Sequence, residues 1–325
     1  MKKTLLALAV PAAFFATAAN AGIPLYQANG VTVDLSASTE VQIIKDYGKF
    51  NGFGVTQSDA EIRLAEGDIA LNTSVALTPT ASAIAGIGLE FDQDDLYTEE
   101  LWAGISSNYG AFTLGRQYLI ADDVGIAKDY EFGRGIEFGI AHGDQTAKYV
   151  YDNGQFYGGF SALIVSDGVK HTDKEPTVID GRIGARFGEL DARLYVYSAD
   201  DLDHGNLAQT GFNIETEYAI NKGVVAASYG QTEFEIMKNK FSYDYISVAA
   251  QNKYGAHTLS AGYDYIKPES GSSINNLYIN AATQLHANVE AYAELGFNDA
   301  EYVDISDGKK VSSEFGYVVG LKIAI

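Results

Sequence analysis

The chain has 325 residues, with 22 Lys+Arg against 43 Asp+Glu and a formal net charge of -21. It contains no Cys, which excludes a disulfide framework and any thiolate metal site. So acidic a chain is a poor partner for a nucleic-acid backbone, and its 5 Pro and lack of a charged linker favour one continuous unit.

Lys2 and Lys3 open the chain, Thr4 to Thr17 is almost wholly apolar, and Ala19-Asn20-Ala21 is a small-x-small cleavage site. That is the pattern of a secretory signal peptide over residues 1–21. The mature unit is then 22–325. Beyond Gly22 no apolar run approaches the roughly 20 residues that a spanning helix needs.

The mature chain instead alternates apolar and polar residues. Alternation at period 2 places the two sets on opposite faces of a strand. Val31, Val33, Leu35, Val41 and Ile43 oppose Asp34, Ser36, Glu40 and Gln42. Further along, Ile87, Leu89 and Phe91 oppose Gly86, Gly88 and Glu90. Ile179, Ile183 and Phe187 oppose Asp180, Arg182 and Arg186. Leu190, Leu194 and Val196 oppose Asp191, Arg193 and Tyr195, and Ile214 and Tyr218 oppose Glu215 and Glu217. Leu259 and Tyr263 oppose Ser260 and Asp264, and Val289, Ala293 and Leu295 oppose Glu290 and Glu294. A soluble β-sandwich alternates too. Export, Tyr and Phe near segment ends, and the alternation of short with long connections favour a closed sheet in a membrane, where no edge can stay unpaired.

The short connections are Ser107–Gly110, Asp152–Gly154, Phe187–Glu189, Asn221–Gly223 and Asn252–Gly255. Their Asn and Gly suit the positive φ of hairpin turns. The expected long ones are 46–57, 92–97, 117–143, 166–176, 198–208, 231–241, 266–274 and 298–311. The reading is an all-β, transmembrane antiparallel barrel of about 16 strands, with fourteen and eighteen left open. Glu61 to Leu77 is the irregular place. Ile62 and Leu64 share one parity while Ile69, Leu71 and Val75 share the other, so either Glu66-Gly67-Asp68 turns or a bulge flips the register.

Ile105 to Gln117 combines a short turn, an aromatic-x-apolar pair and Gly115-Arg116. A long loop follows with Asp129-Tyr130-Glu131-Phe132-Gly133-Arg134-Gly135, then the hairpin Tyr151 to Phe160. In order and spacing these segments resemble the general porins of the Gram-negative outer membrane, especially those of marine gamma-proteobacteria. The resemblance covers essentially the whole mature chain. It implies that 117–143 folds into the barrel as a constriction loop, that the protein is a homotrimer in the outer membrane beside lipopolysaccharide and lipid, and that its last strand is read by the assembly machinery. Phe315, Tyr317, Val319, Leu321, Ile323 and Ile325 alternate to the end, although the family usually ends in Phe.

Sixteen strands enclose more space than their side chains fill, so the expected function is passive diffusion of ions and small hydrophilic solutes. Loop acids would face wall bases across the passage. The loop candidates are Asp122, Asp123, Asp129 and Glu131, and the wall candidates Arg63, Arg116, Lys148, Arg182 and Arg186, with Arg193 behind them. Each loop acid has a plain alternative as a solvated charge. Arg182 and Arg186 take lumen parity, because an unpaired Arg in lipid is costly. Arg116 shares parity with Phe112 and Leu114 and alternation points it outward; only the resemblance turns it to the pore, through a bulge near Gly115. Acids of lumen parity (Glu90, Asp180, Asp191, Glu215, Glu217, Asp264, Glu290 and Glu294) outnumber bases, which predicts cation preference.

No cofactor is implied. Asp92-Gln93-Asp94-Asp95 and Asp200-Asp201-Leu202-Asp203 are acid clusters of the kind that bind Ca2+ or Mg2+, with Asp200, Asp201 and Asp203 the candidate ligands. The five His sit in no nucleophile elbow or zinc motif, so an enzyme is not expected. A substrate-specific channel, for oligosaccharides for example, would need an aromatic track, and Trp102, Tyr195, Tyr278 and Tyr292 are scattered. A plugged structural or adhesive barrel is the remaining alternative.

Overall fold

The computed structural model describes residues 22–47, 49–50, 55–56, 59–91, 96–164, 177–201, 207–303, 310–312 and 315–325. Residues 1–21, the expected signal peptide, and parts of several long connections lie outside these residues, among them Asp92–Asp95 and Asp203.

Sixteen strands form the wall. They are β1 (Val31–Lys45), β2 (Glu61–Thr78), β3 (Ala81–Phe91), β4 (Leu96–Ser107), β5 (Gly110–Tyr118), β6 (His142–Asp152), β7 (Phe156–Leu163) and β8 (Thr177–Phe187). The second half is β9 (Leu190–Asp201), β10 (Leu207–Ile220), β11 (Gly223–Ile236), β12 (Asn239–Tyr254), β13 (His257–Pro268), β14 (Ile274–His286), β15 (Val289–Asn298) and β16 (Phe315–Ala324). Each pairs antiparallel with the next in sequence. β16 pairs back onto β1 from Ser38↔Ala324 to Lys45↔Tyr317 and closes the barrel.

The seam uses the segment before β1 and the residue after β16. Ile23–Ala28 pairs with β1 from Leu35 to Val31, beyond the point where β16 stops. Ala37 and Ile325 exchange backbone hydrogen bonds of 3.1 and 2.8 Å. The last residue is therefore part of the closure that leaves no edge in the membrane.

Alternation accounts for the two faces. Ile179 and Ile183 are each 67% exposed on the outside, while Asp180 between them is 3% exposed. At Glu61–Leu77 the bulge is what the chain adopts. β2 is a single strand, and its register against β1 jumps from Glu66↔Glu40 to Leu64↔Val41, leaving Ala65 as the extra residue. One inserted residue exchanges the faces, which is why the apolar parity changes there.

The expected long connection 231–241 is a correction. β11 and β12 run on through it, and only Met237 and Lys238 lie between them. Thr232-Glu233-Phe234-Glu235-Ile236 also alternates, but its outer face carries Glu233 and Glu235, and Lys240 bonds Glu233 at 2.5 Å. A strand that rises past the hydrocarbon can be polar outside, so polarity there marks the membrane boundary rather than the end of the strand. Met237 and Lys238 both have positive φ, 47° and 71°, as a type I′ turn demands. Neither residue suits that conformation. Met237→Asn with Lys238→Gly should raise the temperature at which the barrel loses compact migration on gels by about 2–4 °C. An unchanged or lower transition would count against strain in this turn.

Candidate functional site

Between β5 and β6, residues 119–141 carry one 3-10 turn, Ile120–Asp123, and otherwise no regular structure. A buried backbone without a helix or sheet must find other partners. Inside the barrel the wall supplies them. The loop base is closed by Leu119 N–H to the Ala141 carbonyl at 2.7 Å. Ile120 N–H donates to Ser161 Oγ at 2.8 Å and Ala121 N–H to Asp180. Gly125 N–H reaches Glu215 Oε1 at 2.6 Å, Lys128 N–H the Tyr278 hydroxyl at 2.7 Å, and Arg134 N–H Asp264 Oδ2 at 2.8 Å. On the return limb, Gly139 N–H donates to Gln209 Oε1 at 2.7 Å and Ile140 N–H to the Tyr197 hydroxyl at 2.9 Å.

The tip is held most tightly. Glu294 accepts the N–H groups of Tyr130, Glu131 and Phe132 at 2.7, 3.0 and 2.7 Å, and Asn280 Nδ2 at 2.9 Å. Successive N–H groups around one carboxylate form an anion nest. Phe132 is fully buried because two glycines make room for it. A Cβ on Gly296 or on Gly316 would lie 2.5 Å from its ring. Apolar anchors complete the seat: Ile126 packs with Ala226 and Ala249, and Ile136 and Phe138 pack with Val178, Tyr195 and Tyr197. The loop thus lies along the wall from β7 to β15 and reaches β1 and the start of β2 at its tip, leaving the lumen side of β3–β5, and of β2 past its bulge, uncovered by these contacts.

Two candidate pairs bring a loop acid directly against a wall base. Glu131 Oε2 lies 2.5 Å from Arg63, and Gln42 bridges them, donating to Glu131 at 2.6 Å and accepting from Arg63 Nε at 2.8 Å. Asp123 lies 2.7 Å from Arg182, whose guanidinium sits over the Tyr157 and Tyr195 rings. The other candidates do not join these pairs. Asp129 accepts Gly133 N–H at 2.5 Å and shapes the loop from within; burial pushes its carboxyl above the ordinary range. In Asp122, loss of water and then the Asp123 charge lift the carboxyl to about 6. Lys148 donates to the Tyr118 carbonyl at 3.0 Å. Arg186 bonds Asp152 and Asp191 at the short-turn end. Arg116 pairs with Asp144 and the Thr98 carbonyl, beside Gly115 at φ +133° and a register shift. Asp200 and Asp201 end β9.

Arg193 is more central than its pattern suggested. It bonds Glu215 at 2.5 Å, Glu217 at 2.8 Å and the Gly125 carbonyl at 3.4 Å. Three of the four scattered aromatics have a structural explanation that Tyr157 shares, whereas Tyr195 stands opposite Arg182. Trp102, Tyr157, Tyr278 and Tyr292 each face a cross-strand glycine, namely Gly86, Gly184, Gly262 and Gly320. A Cβ on any of these glycines would overlap the ring. The rings fill the gap that glycine leaves in the sheet, and Tyr292 also stacks on Tyr130 at 3.6 Å.

The acids of the uncovered side were missed. Asp68 on β2, Glu90 on β3, Glu100 on β4 and Asp122 on the loop all act electrostatically on Glu99 of β4. Of these, only Glu90 and Asp122 were read from the sequence. Glu99 is the extra residue where the β3–β4 register shifts, and Asp68 lies just past the β2 bulge.

A closed sixteen-strand barrel with an inward loop pinned to its wall defines an outer-membrane channel protein. A family model described as Gram-negative porin matches residues 6–301, and the chain belongs to that family. Porin-like protein H of Photobacterium profundum is 40% identical over 343 aligned positions, covering 99% of both chains. Among solved structures, the trimer form of OmpT, an outer membrane protein of Vibrio cholerae, superposes with a TM-score of 0.77 at 20% identity, covering 91% of this chain and all of that one. The anion-selective porin from Comamonas acidovorans gives 0.74 at 15% identity, over 91% of this chain and 100% of its own. The protein is therefore an outer-membrane porin.

Proposed function

We propose that the protein is a trimeric, cation-preferring diffusion channel for ions and small hydrophilic solutes. The carrying observation is the distribution of carboxylates that hold no loop backbone. Asp180, Glu215, Asp264 and Glu294 are at most 3% exposed and accept loop N–H groups, so they contribute little to the charge that a permeating ion meets. Asp68, Glu90, Glu99, Glu100 and Asp122 line the side that the loop leaves uncovered. The bases beside them are Lys148 and His142, so acids exceed bases there. Since a porin of this fold is anion-selective, charge placement rather than architecture must decide the sign. Arg63 and Arg182 are each in contact with a loop acid, so these pairs fasten the loop to the wall and add little net charge to the passage.

The test is a planar bilayer holding a KCl gradient. Openings in groups of three, with a reversal potential on the K⁺ side of zero, are expected. A reversal potential on the Cl⁻ side would refute the charge argument, and single openings would refute the trimer.

A further inference from the structure

The loop tip carries an aromatic ring whose two faces meet different surroundings. Tyr292 stands on the lumen face of β15, and its ring lies across Gly320 of β16, where a Cβ would come within 2.2 Å of it. Tyr130 stacks on that ring, with centroids 3.6 Å apart and planes 4° from parallel. Tyr292 belongs to the wall and Tyr130 to the loop. The stack therefore turns the second face of Tyr130 away from the wall and toward the passage. Its hydroxyl donates to Glu290 Oε1 at 2.7 Å and its N–H to Glu294 Oε2 at 2.7 Å, while Glu131 beside it is tied to Arg63. With one face covered and the hydroxyl bonded, the partial exposure that Tyr130 retains belongs to the free face and its edge. Among the described residues, no guanidinium lies over this ring and no ring besides Tyr292 is stacked on it. A ring already held in place costs no further ordering when a solute docks on it.

The charges around the stack are mostly negative. Glu290 holds the Tyr130 hydroxyl, and Glu40 accepts the Tyr292 hydroxyl and, at 2.8 Å, Gln42 Nε2. Lys322 spans Glu40, at 3.6 Å, and Glu66. Glu40, Glu66, Glu131 and Glu290 thus stand against Arg63 and Lys322, and Glu294 lies buried beneath the loop. Glu290 is nearer than Glu294 to the short turn that opens β15, so the free face lies on the short-turn side of the tip. These acids disfavour an anion. A small inorganic cation keeps its water and gains little from a ring. An organic cation, whose charge sits on a weakly hydrated apolar group, is drawn both by the ring face and by the acids.

We propose that the free face of Tyr130 binds organic cations, namely quaternary and aromatic ammonium ions, as they pass the loop tip. The channel then holds them longer than neutral or anionic solutes of the same size. The proposal rests on the reading of the protein as an open channel, but not on its K⁺/Cl⁻ preference, which stems from acids on other strands.

The experiment adds benzyltrimethylammonium chloride to single channels of the purified protein in a planar bilayer and reads interruptions of the KCl current. Benzyl alcohol and sodium benzenesulfonate are the neutral and anionic arms. Interruptions whose frequency rises with concentration are expected for the cation alone. Tyr130→Leu, which removes the ring, should shorten them about tenfold, between the exposed and the desolvated extremes for a cation on a ring. Tyr130→Phe keeps the ring and gives up the Glu290 bond, so it should hold their duration within about twofold of the unaltered channel. Equal loss in the Phe and Leu variants would assign the effect to anchoring of the loop and overturn the proposal. Interruptions that survive Tyr130→Leu would overturn it too, as would equal interruptions from the alcohol or the sulfonate. Channels that conduct without any interruption would refute the ring site alone. Absence of conductance would refute the open channel, and the proposal with it.

Discussion

Replacing Glu294 with alanine is expected to free the loop tip and roughly double single-channel conductance, toward that of an unobstructed barrel. The side chain is fully buried and is the acceptor for three consecutive backbone donors, at Tyr130, Glu131 and Phe132. Each buried donor left without a partner costs about 1–3 kcal/mol, or about 3–9 kcal/mol for three. Keeping Phe132 in its seat returns about 1.5–3 kcal/mol. The partly exposed Arg63–Glu131 pair adds little, since such pairs contribute about 0–1 kcal/mol. At the middle of these ranges, about 6 kcal/mol against about 3 kcal/mol with about 1 kcal/mol more for the Asn276 bond to the Phe132 carbonyl, release, which hands the three donors to water, is favoured. A second variant reaches the same end by shape alone. Gly296→Val puts side-chain atoms where the Phe132 ring lies and leaves every charge in place. Concordant rises in both variants would assign the effect to loop position. Unchanged conductance in both would mean that the tip does not narrow the passage. Glu290→Gln is the control, because Glu290 holds only the Tyr130 hydroxyl among these groups, at 2.7 Å.

The wall was legible because its physics is local. Each spanning strand must put apolar side chains toward lipid and polar ones toward water, and period 2 writes that requirement into neighbouring residues. Ile183 between Arg182 and Gly184 shows its face with no knowledge of any other strand. Even the β2 bulge left a trace, as a change of parity between Leu64 and Ile69. The same logic failed at Met237–Lys238, where turn residues gave no Asn or Gly signal and a polar outer face looked like loop. Thr78 to Ala81 was passed over for a like reason, since the turn at Pro79-Thr80 has neither Asn nor Gly.

The lumen was legible only by face. Alternation placed Asp180, Glu215, Asp264 and Glu294 inside correctly, but it cannot tell a carboxylate in water from one beneath a loop. That depends on where residues 119–141 lie, which is decided by contacts far apart in sequence. Gln42 meets Glu131, and Asn276 meets the Phe132 carbonyl at 2.7 Å. Arg63 could be assigned to the lumen, yet nothing near it names Glu131 as its partner. The acids that the loop leaves uncovered escaped for the opposite reason. Glu99 sits at a register shift, where simple alternation assigns no face, and Asp68 lies just past the β2 bulge, where the parity changes.

That uncovered side yields the second large effect. Glu90→Gln, Glu99→Gln and Glu100→Gln combined should lower the K⁺/Cl⁻ permeability ratio about tenfold, because charged walls around a low-dielectric passage concentrate counter-ions by that order or more. The loss should be full near 0.1 M salt, where screening extends over about 10 Å, and largely vanish near 1 M, where it extends over about 3 Å. Acidification should act in the same direction. The Asp122 carboxyl loses its charge as pH falls through about 6, so cation preference should weaken over that interval and recover above it. Glu215→Gln is the informative contrast. It removes the same formal charge from the same lumen face, but beneath the loop and already matched by Arg193 at 2.5 Å. If formal charge on the lumen face decided selectivity, this variant would shift the ratio as much as any one of the three. If only carboxylates left uncovered by the loop matter, it should leave the ratio near that of the unaltered channel. An unaltered reversal potential in the triple variant at low salt would remove the β3–β4 acids from the conduction path and return the question to Asp123, Glu131 and their arginines.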